Sequence, residues 1–143
     1  MSTEDNKALV RRVLEEGINQ GRLDVDDELI APWRGTPQAR IQTQASLERT
    51  KQAICMFRNA FPNLYITVDD QIARGNKVVT RWTAHGTHLG DLMGLPSTGR
   101  DLTVTGIAIG KIVANRLVEY WGNFDALGLI QQIGIIPTTE TVQ

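Results

Sequence analysis

KVVTRWTAHGTHLGDLMGLPSTGRDLTVTGIAIGKIVANRLVEYWGNFDALGLIQQIG, from Lys77 to Gly134, reads as three long strands followed by a closing helix, and it decides the fold. In the first strand, Lys77 to about His88, alternation puts Val79, Arg81, Thr83 and His85 on one face and Val78, Thr80, Trp82 and Ala84 on the other. Both faces are partly apolar, which suits a sheet covered by helices on one side and by a partner or more sheet on the other. The second strand, Arg100 to about Val113, sets Leu102, Val104, Gly106, Ala108, Gly110 and Ile112 on a single face. Small residues in the middle of that face either let a helix lie very close or leave a hollow for a ligand. Ala114-Asn115 suits a two-residue connection, because Asn tolerates a left-handed backbone. Arg116 to Asn123 is therefore predicted to return antiparallel, with Val118, Tyr120 and Gly122 on one face and Leu117, Glu119 and Trp121 on the other. Asp125 can cap a helix to about Ile133, and Gly134 stops it.

Upstream, Ser2 or Thr3 followed by Glu4 and Asp5 opens a helix whose apolar residues Leu9, Val10, Val13, Leu14 and Ile18 recur at helical spacing until Gly21. A short second helix is predicted over about Val25 to Ile30, and Pro32 ends it. Pro32 to Gln44 has two prolines, a glycine and no periodicity, so it reads as a loop bordering the fold. Its Trp33 either anchors that loop to the core or stacks on a ligand. A third helix follows from about Ser46 to Phe61, with Leu47, Ile54, Phe57 and Phe61 as its stripe, and Cys55 among these residues reads as an inert core thiol. Leu64, Ile66 and Val68 then alternate as a strand, and Arg74-Gly75-Asn76 turns the chain into the deciding stretch. Three helices, four strands and a helix make an α+β domain with helices on one face of an antiparallel sheet.

The 143 residues, 41% of them hydrophobic, are expected to form a single domain: 1–62 helical, 63–134 sheet and closing helix, 135–143 a tail. A net charge of −1 gives no clustered basic surface for nucleic acid. No segment reaches the ~20 apolar residues of a membrane span, and the acidic, polar start MSTEDNK is unlike a secretory signal. The lone cysteine cannot form an internal disulfide, which fits a cytoplasmic, reducing location.

GTHLG with GLPSTGR (Gly86 to Arg100), and EYWGNFD followed by QQIG (Glu119 to Gly134), closely resemble the SnoaL-like polyketide cyclase, or ester cyclase, family of the nuclear-transport-factor-like superfamily. The resemblance is strongest over Val78 to Gly134. It implies a cone-shaped, strongly curved antiparallel sheet, a cystatin-like α+β barrel, with N-terminal helices covering the concave face and a pocket inside. It also implies a homodimer through the outer surface of the sheet, and ring closure of an apolar, carbonyl-rich compound by intramolecular aldol condensation without metal or cofactor. A non-catalytic carrier of the same fold is one alternative; a related hydrolase or lyase chemistry, hydrolysis of a cyclic substrate requiring a carboxylate in the pocket, is another. The family's acid/base aspartate falls at Gly122 and its site histidine at Ala108, so this chain departs from the pattern at both places.

Candidate groups for chemistry are therefore His88, at the rim where strand meets Gly-rich loop, His85 and Tyr120, whose phenol can donate to a ligand carbonyl. Each histidine can equally be structural, and nothing like H-E-x-x-H suggests a metal. The candidate ligand-binding residues are Trp33, Met93, Leu95, Val104, Ala108, Val118 and Gly122. The glycines Gly86, Gly90, Gly94 and Gly99 lack the Lys-Ser/Thr pair of a phosphate-binding loop, and the loop reads instead as an apolar lid. Asp125 matches a family aspartate, but helix capping accounts for it.

Overall fold

The computed structural model describes residues 2–22 and 51–134. The predicted short helix at 25–30, the Pro32 to Gln44 loop with Trp33, the start of the third helix and the tail at 135–143 lie outside them.

Helix α1 spans Thr3–Arg12. The Ser2 hydroxyl accepts from the Asp5 N–H at 3.1 Å while the Asp5 carboxylate accepts from the Ser2 N–H at 3.3 Å, a reciprocal cap on two otherwise orphaned donors. The helix runs on into wider π-type turns over Val13–Asn19, which bring the Asn19 amide to the open edge of the sheet. There Asn19 Nδ2 donates to the Ile66 carbonyl at 2.9 Å and Oδ1 accepts from the Ile66 N–H at 2.6 Å. One side chain thus replaces a neighbouring strand at that point. Helix α2 occupies 51–60. Ile54 is buried but Cys55 is exposed, contrary to the core thiol expected from its neighbours. One residue on a helix is a rotation of about 100°, which takes Cys55 off the buried stripe.

Strands β1 (Tyr65–Arg74), β2 (Lys77–Thr87), β3 (Asp101–Val113) and β4 (Arg116–Phe124) form one antiparallel curved sheet in the order β1-β2-β3-β4, and helix α3 (Ala126–Ile133) closes it. Ala114 and Asn115, with φ of 50° and 62°, make the predicted two-residue turn between β3 and β4.

Two irregularities shape the sheet. Register jumps between Val68 and Asp70, leaving Asp69 as an extra residue, and β1 continues well past the predicted Val68. A second jump pairs Lys111 with Glu119 but Ile112 with Leu117, so Val118 is the extra residue. That bulge overturns the predicted parity of the strand's start: Leu117 lies on the covered face, 2% exposed, and Val118 is displaced from the alternation. Each bulge bends its strand, and together they curve the sheet.

The helices cover one face, the inner face. Two packed cores lie at its opposite ends. Leu9, Val10, Val13 and Leu14 of the N-terminal helix meet Ile66, Val78, Ile112 and Leu117 at one end. Ala60, Phe61, Leu92, Leu102, Val104, Leu129 and Ile133 pack at the other. Among the described residues, no helix is long and apolar enough to cross a membrane.

Candidate functional site

Between the two cores, three cross-strand rows run over the inner face. Val78, Gly110 and Tyr120 form one; Gln71, Thr80, Ala108 and Gly122 the next; Val68, Trp82, Gly106 and Phe124 the third. The hollow that the small residues of β3 could leave is largely filled. A side chain at Gly106 would begin 2.2 Å from Trp82 Cζ2, so the indole lies directly over it. At Gly110 it would begin 2.8 Å from Leu117 Cδ1 and 3.6 Å from Val10 Cγ2, which means the glycine admits the N-terminal helix. Ala108 and Val104 are buried as well. Of the alternatives open from sequence, close helix approach holds at Gly110.

β4 is different. Tyr120, Gly122 and Phe124 remain exposed on the inner face. The ring of Tyr120 leans over Gly122: a side chain there would begin 3.1 Å from Tyr120 Cε1 and 3.7 Å from its hydroxyl. Tyr120 keeps 44% of its surface accessible, yet surrounding protein atoms desolvate the phenol and hold its pKa above the ordinary 10.0. The raised pKa keeps the phenol protonated and able to donate throughout the neutral range. Phe57 of α2 meets Phe124 edge-on, with ring centroids 6.1 Å apart, and walls the far end of the strip. Phe57 read from sequence only as part of the helix stripe, and Phe124 lies one residue beyond the predicted strand; its parity with Tyr120 and Gly122 was the available signal.

The other candidates fall elsewhere. His85 sits on the outer face, its Nδ1 3.2 Å from the Thr103 hydroxyl, and the sheet separates it from Tyr120. His88 is not at an open rim. It is fully buried, with Nδ1 3.0 Å from Thr98 Oγ1, its ring 5.5 Å from that of Phe61, and Nε2 without a partner. The strand end is fastened around it, since the His88 N–H donates to the Arg100 carbonyl and the Gly99 N–H to the His88 carbonyl. The following loop is likewise held to α2, where Leu89 and Gly90 both donate to the Ala60 carbonyl. Leu92 makes this loop's inward contact, Leu95 is half-buried, and Met93 projects at the turn tip, 69% exposed with a φ of 48°. The apolar underside expected of the loop is thus Leu92 rather than Met93. Asp125 caps α3, its Oδ1 accepting from the Gly128 N–H at 2.9 Å.

Ala108 and Gly122 are register partners, so the two positions singled out by the sequence resemblance stand side by side. Among the described residues, the strip of Tyr120, Gly122 and Phe124 carries one ionisable group, the Tyr120 phenol.

The sequence matches the SnoaL-like polyketide cyclase family over residues 8–133. TsrD from Streptomyces laurentii is 26% identical, with a TM-score of 0.78 over 95% of this chain and 99% of that one. A candidate polyketide cyclase from Acidithiobacillus ferrooxidans is 28% identical, with a TM-score of 0.75 over 93% and 97% of the two chains. IdmH from Streptomyces antibioticus, also described as a candidate polyketide cyclase, is 27% identical with a TM-score of 0.69 over 90% and 98%. Among curated proteins no sequence matches.

Proposed function

The chain belongs to the SnoaL-like polyketide cyclase family, and from that premise we propose that it takes up an apolar, carbonyl-rich small molecule on the inner face of β4 and closes a ring in it. The observation that carries this reading is the Tyr120 hydroxyl, 3.7 Å from where a side chain on Gly122 would begin. Gly122 stands where the resemblance expects an acid/base aspartate, and the phenol leans into the space left there. In ring closure, the C–H between two carbonyls gives its proton to water or hydroxide. The resulting carbanion forms the new C–C bond to a distant carbonyl carbon. The displaced carbonyl electron pair takes the Tyr120 proton as the alkoxide becomes a hydroxyl, and solvent reprotonates the phenolate. The aromatic strip contributes by holding the chain folded, so that the reacting carbons start close together.

Turnover of an aryl triketone, followed by absorbance, tests this. Tyr120→Phe is expected to slow ring closure about a hundredfold, the usual worth of a positioned acid, and Gly122→Asp to raise it by supplying a carboxylate base. Unchanged turnover in Tyr120→Phe would remove the phenol from the mechanism.

A second reading, a carrier without catalysis, draws on the strip's lack of a carboxylate or imidazole among the described residues. His88 is enclosed beneath Phe61 and enters neither reading as an acid or base. Compounds that co-purify and are recovered chemically unchanged after long incubation would favour the carrier.

We also propose a homodimer through the outer face. Ile72, Val79, Ile109 and Trp121 form one cross-strand apolar row there, and Trp121 is 69% exposed. Trp121→Lys is expected to convert a sedimenting dimer to monomer. A free, exposed Cys55 suits a cytoplasmic, reducing location.

A further inference from the structure

Trp82 occupies an unusual place on the inner face. Its neighbours in the row are Val68 on one side and Gly106 on the other, and beyond Gly106 lies Phe124. The benzo edge of the indole, Cζ2, Cε2 and Cη2, would stand 2.2, 2.5 and 2.8 Å from a Cβ at position 106, so the ring extends from β2 across β3 towards β4. The indole is only half-buried, packed against the core under the N-terminal helix but not absorbed by it. A bicyclic side chain therefore covers β3 at Gly106, with the core on one side of it and Phe124, the end of the open strip, as the next residue in its row.

We infer that Trp82 sets the depth of the ligand site, its indole forming the inner wall against which a molecule lying on the strip stops. This rests on the strip being the ligand site, as proposed above. Gly106 is the other half of the device. With any side chain there the benzo edge of the indole could not keep its place over β3 and would be driven into the space the ligand uses. The two positions should therefore act in opposite directions: shortening Trp82 deepens the site, and enlarging Gly106 makes it shallower.

Naphthoquinone sulfonate and anthraquinone sulfonate are suitable probes, flat aromatic diketones that differ by one ring. Their affinities for the intact chain are measured by equilibrium dialysis. In Trp82→Ala the preference for the three-ring over the two-ring probe is expected to rise about tenfold, the scale on which hydrophobic pockets discriminate size. Gly106→Ala is expected to weaken both. Free indole provides a second readout that needs no ligand assignment: it should raise the Tm of Trp82→Ala and leave the wild-type Tm unchanged. An unchanged size preference in folded Trp82→Ala, with Tyr120→Phe still weakening both probes, would overturn the inference alone, and so would a failure of indole to stabilise that variant. Tyr120→Phe binding both probes as the wild type does would overturn the site reading and this inference with it.

Discussion

Gly110 and Gly122 are both glycines on the inner face of neighbouring strands, and they do opposite things. Around Gly110, Leu117 from the cross-strand partner and Val10 from the N-terminal helix move in until no room is left for a methyl group. At Gly122 the nearest atoms belong to the free end of the Tyr120 ring, and the position stays exposed. A missing side chain makes a hollow only where no neighbour is long enough, or suitably aimed, to fill it. The bulge at Val118 makes that choice here: it turns Leu117 inward over Gly110, and after it Tyr120 and Gly122 resume the alternation on the open side.

Substitutions on either side of this divide can break the comparison. Leu117→Ala should cost about 3 kcal/mol in urea unfolding, because it removes buried methyls and leaves a cavity over Gly110. Phe124→Ala, on the open strip, should cost less than half as much; equal losses would mean that the strip is as tightly packed as the core. Gly110→Ala should cost about 1–3 kcal/mol by overpacking against Leu117. Gly122→Ala should stay within about 0.5 kcal/mol, since only a ring tip has to yield.

The smallest effect concerns pH. A phenol whose pKa is raised in the folded state binds its proton more tightly there than in the unfolded chain. The folded state therefore keeps its full stability below the ordinary phenol value of 10.0 and loses part of it as pH rises from there to the folded-state value. Tyr120→Phe should flatten that alkaline decline. An equally steep decline in the variant would show that Tyr120 is not the desolvated group.

Much of the architecture was legible in the chain. Alternation gave the faces of β2 and β3, Ser2 and Asp125 marked two helix starts, and Asn115 marked the turn before β4, because these signals depend on residues close in sequence. The faces of β4 were legible only past Glu119. Nothing local to Arg116–Glu119 announces an extra residue, and the parity of Leu117 follows from pairing with Ile112 across the hairpin. Cys55 and His88 failed for a related reason. Apolar neighbours in sequence did not bury the first, and a place at a strand end did not expose the second, because burial depends on what packs there from elsewhere.

By itself the sequence determined the α+β class, the succession of strands along the chain, the family and the absence of a carboxylate or imidazole at positions 108 and 122 beside the phenol of Tyr120, all of which follow from side-chain period, turn residues and motif. Only the tertiary structure decided which of the small residues are filled and which stand open. That depends on the reach of Trp82, Leu117 and Val10, side chains brought over β3 by strand pairing and helix docking, and contacts between residues far apart in the chain leave no periodicity to read.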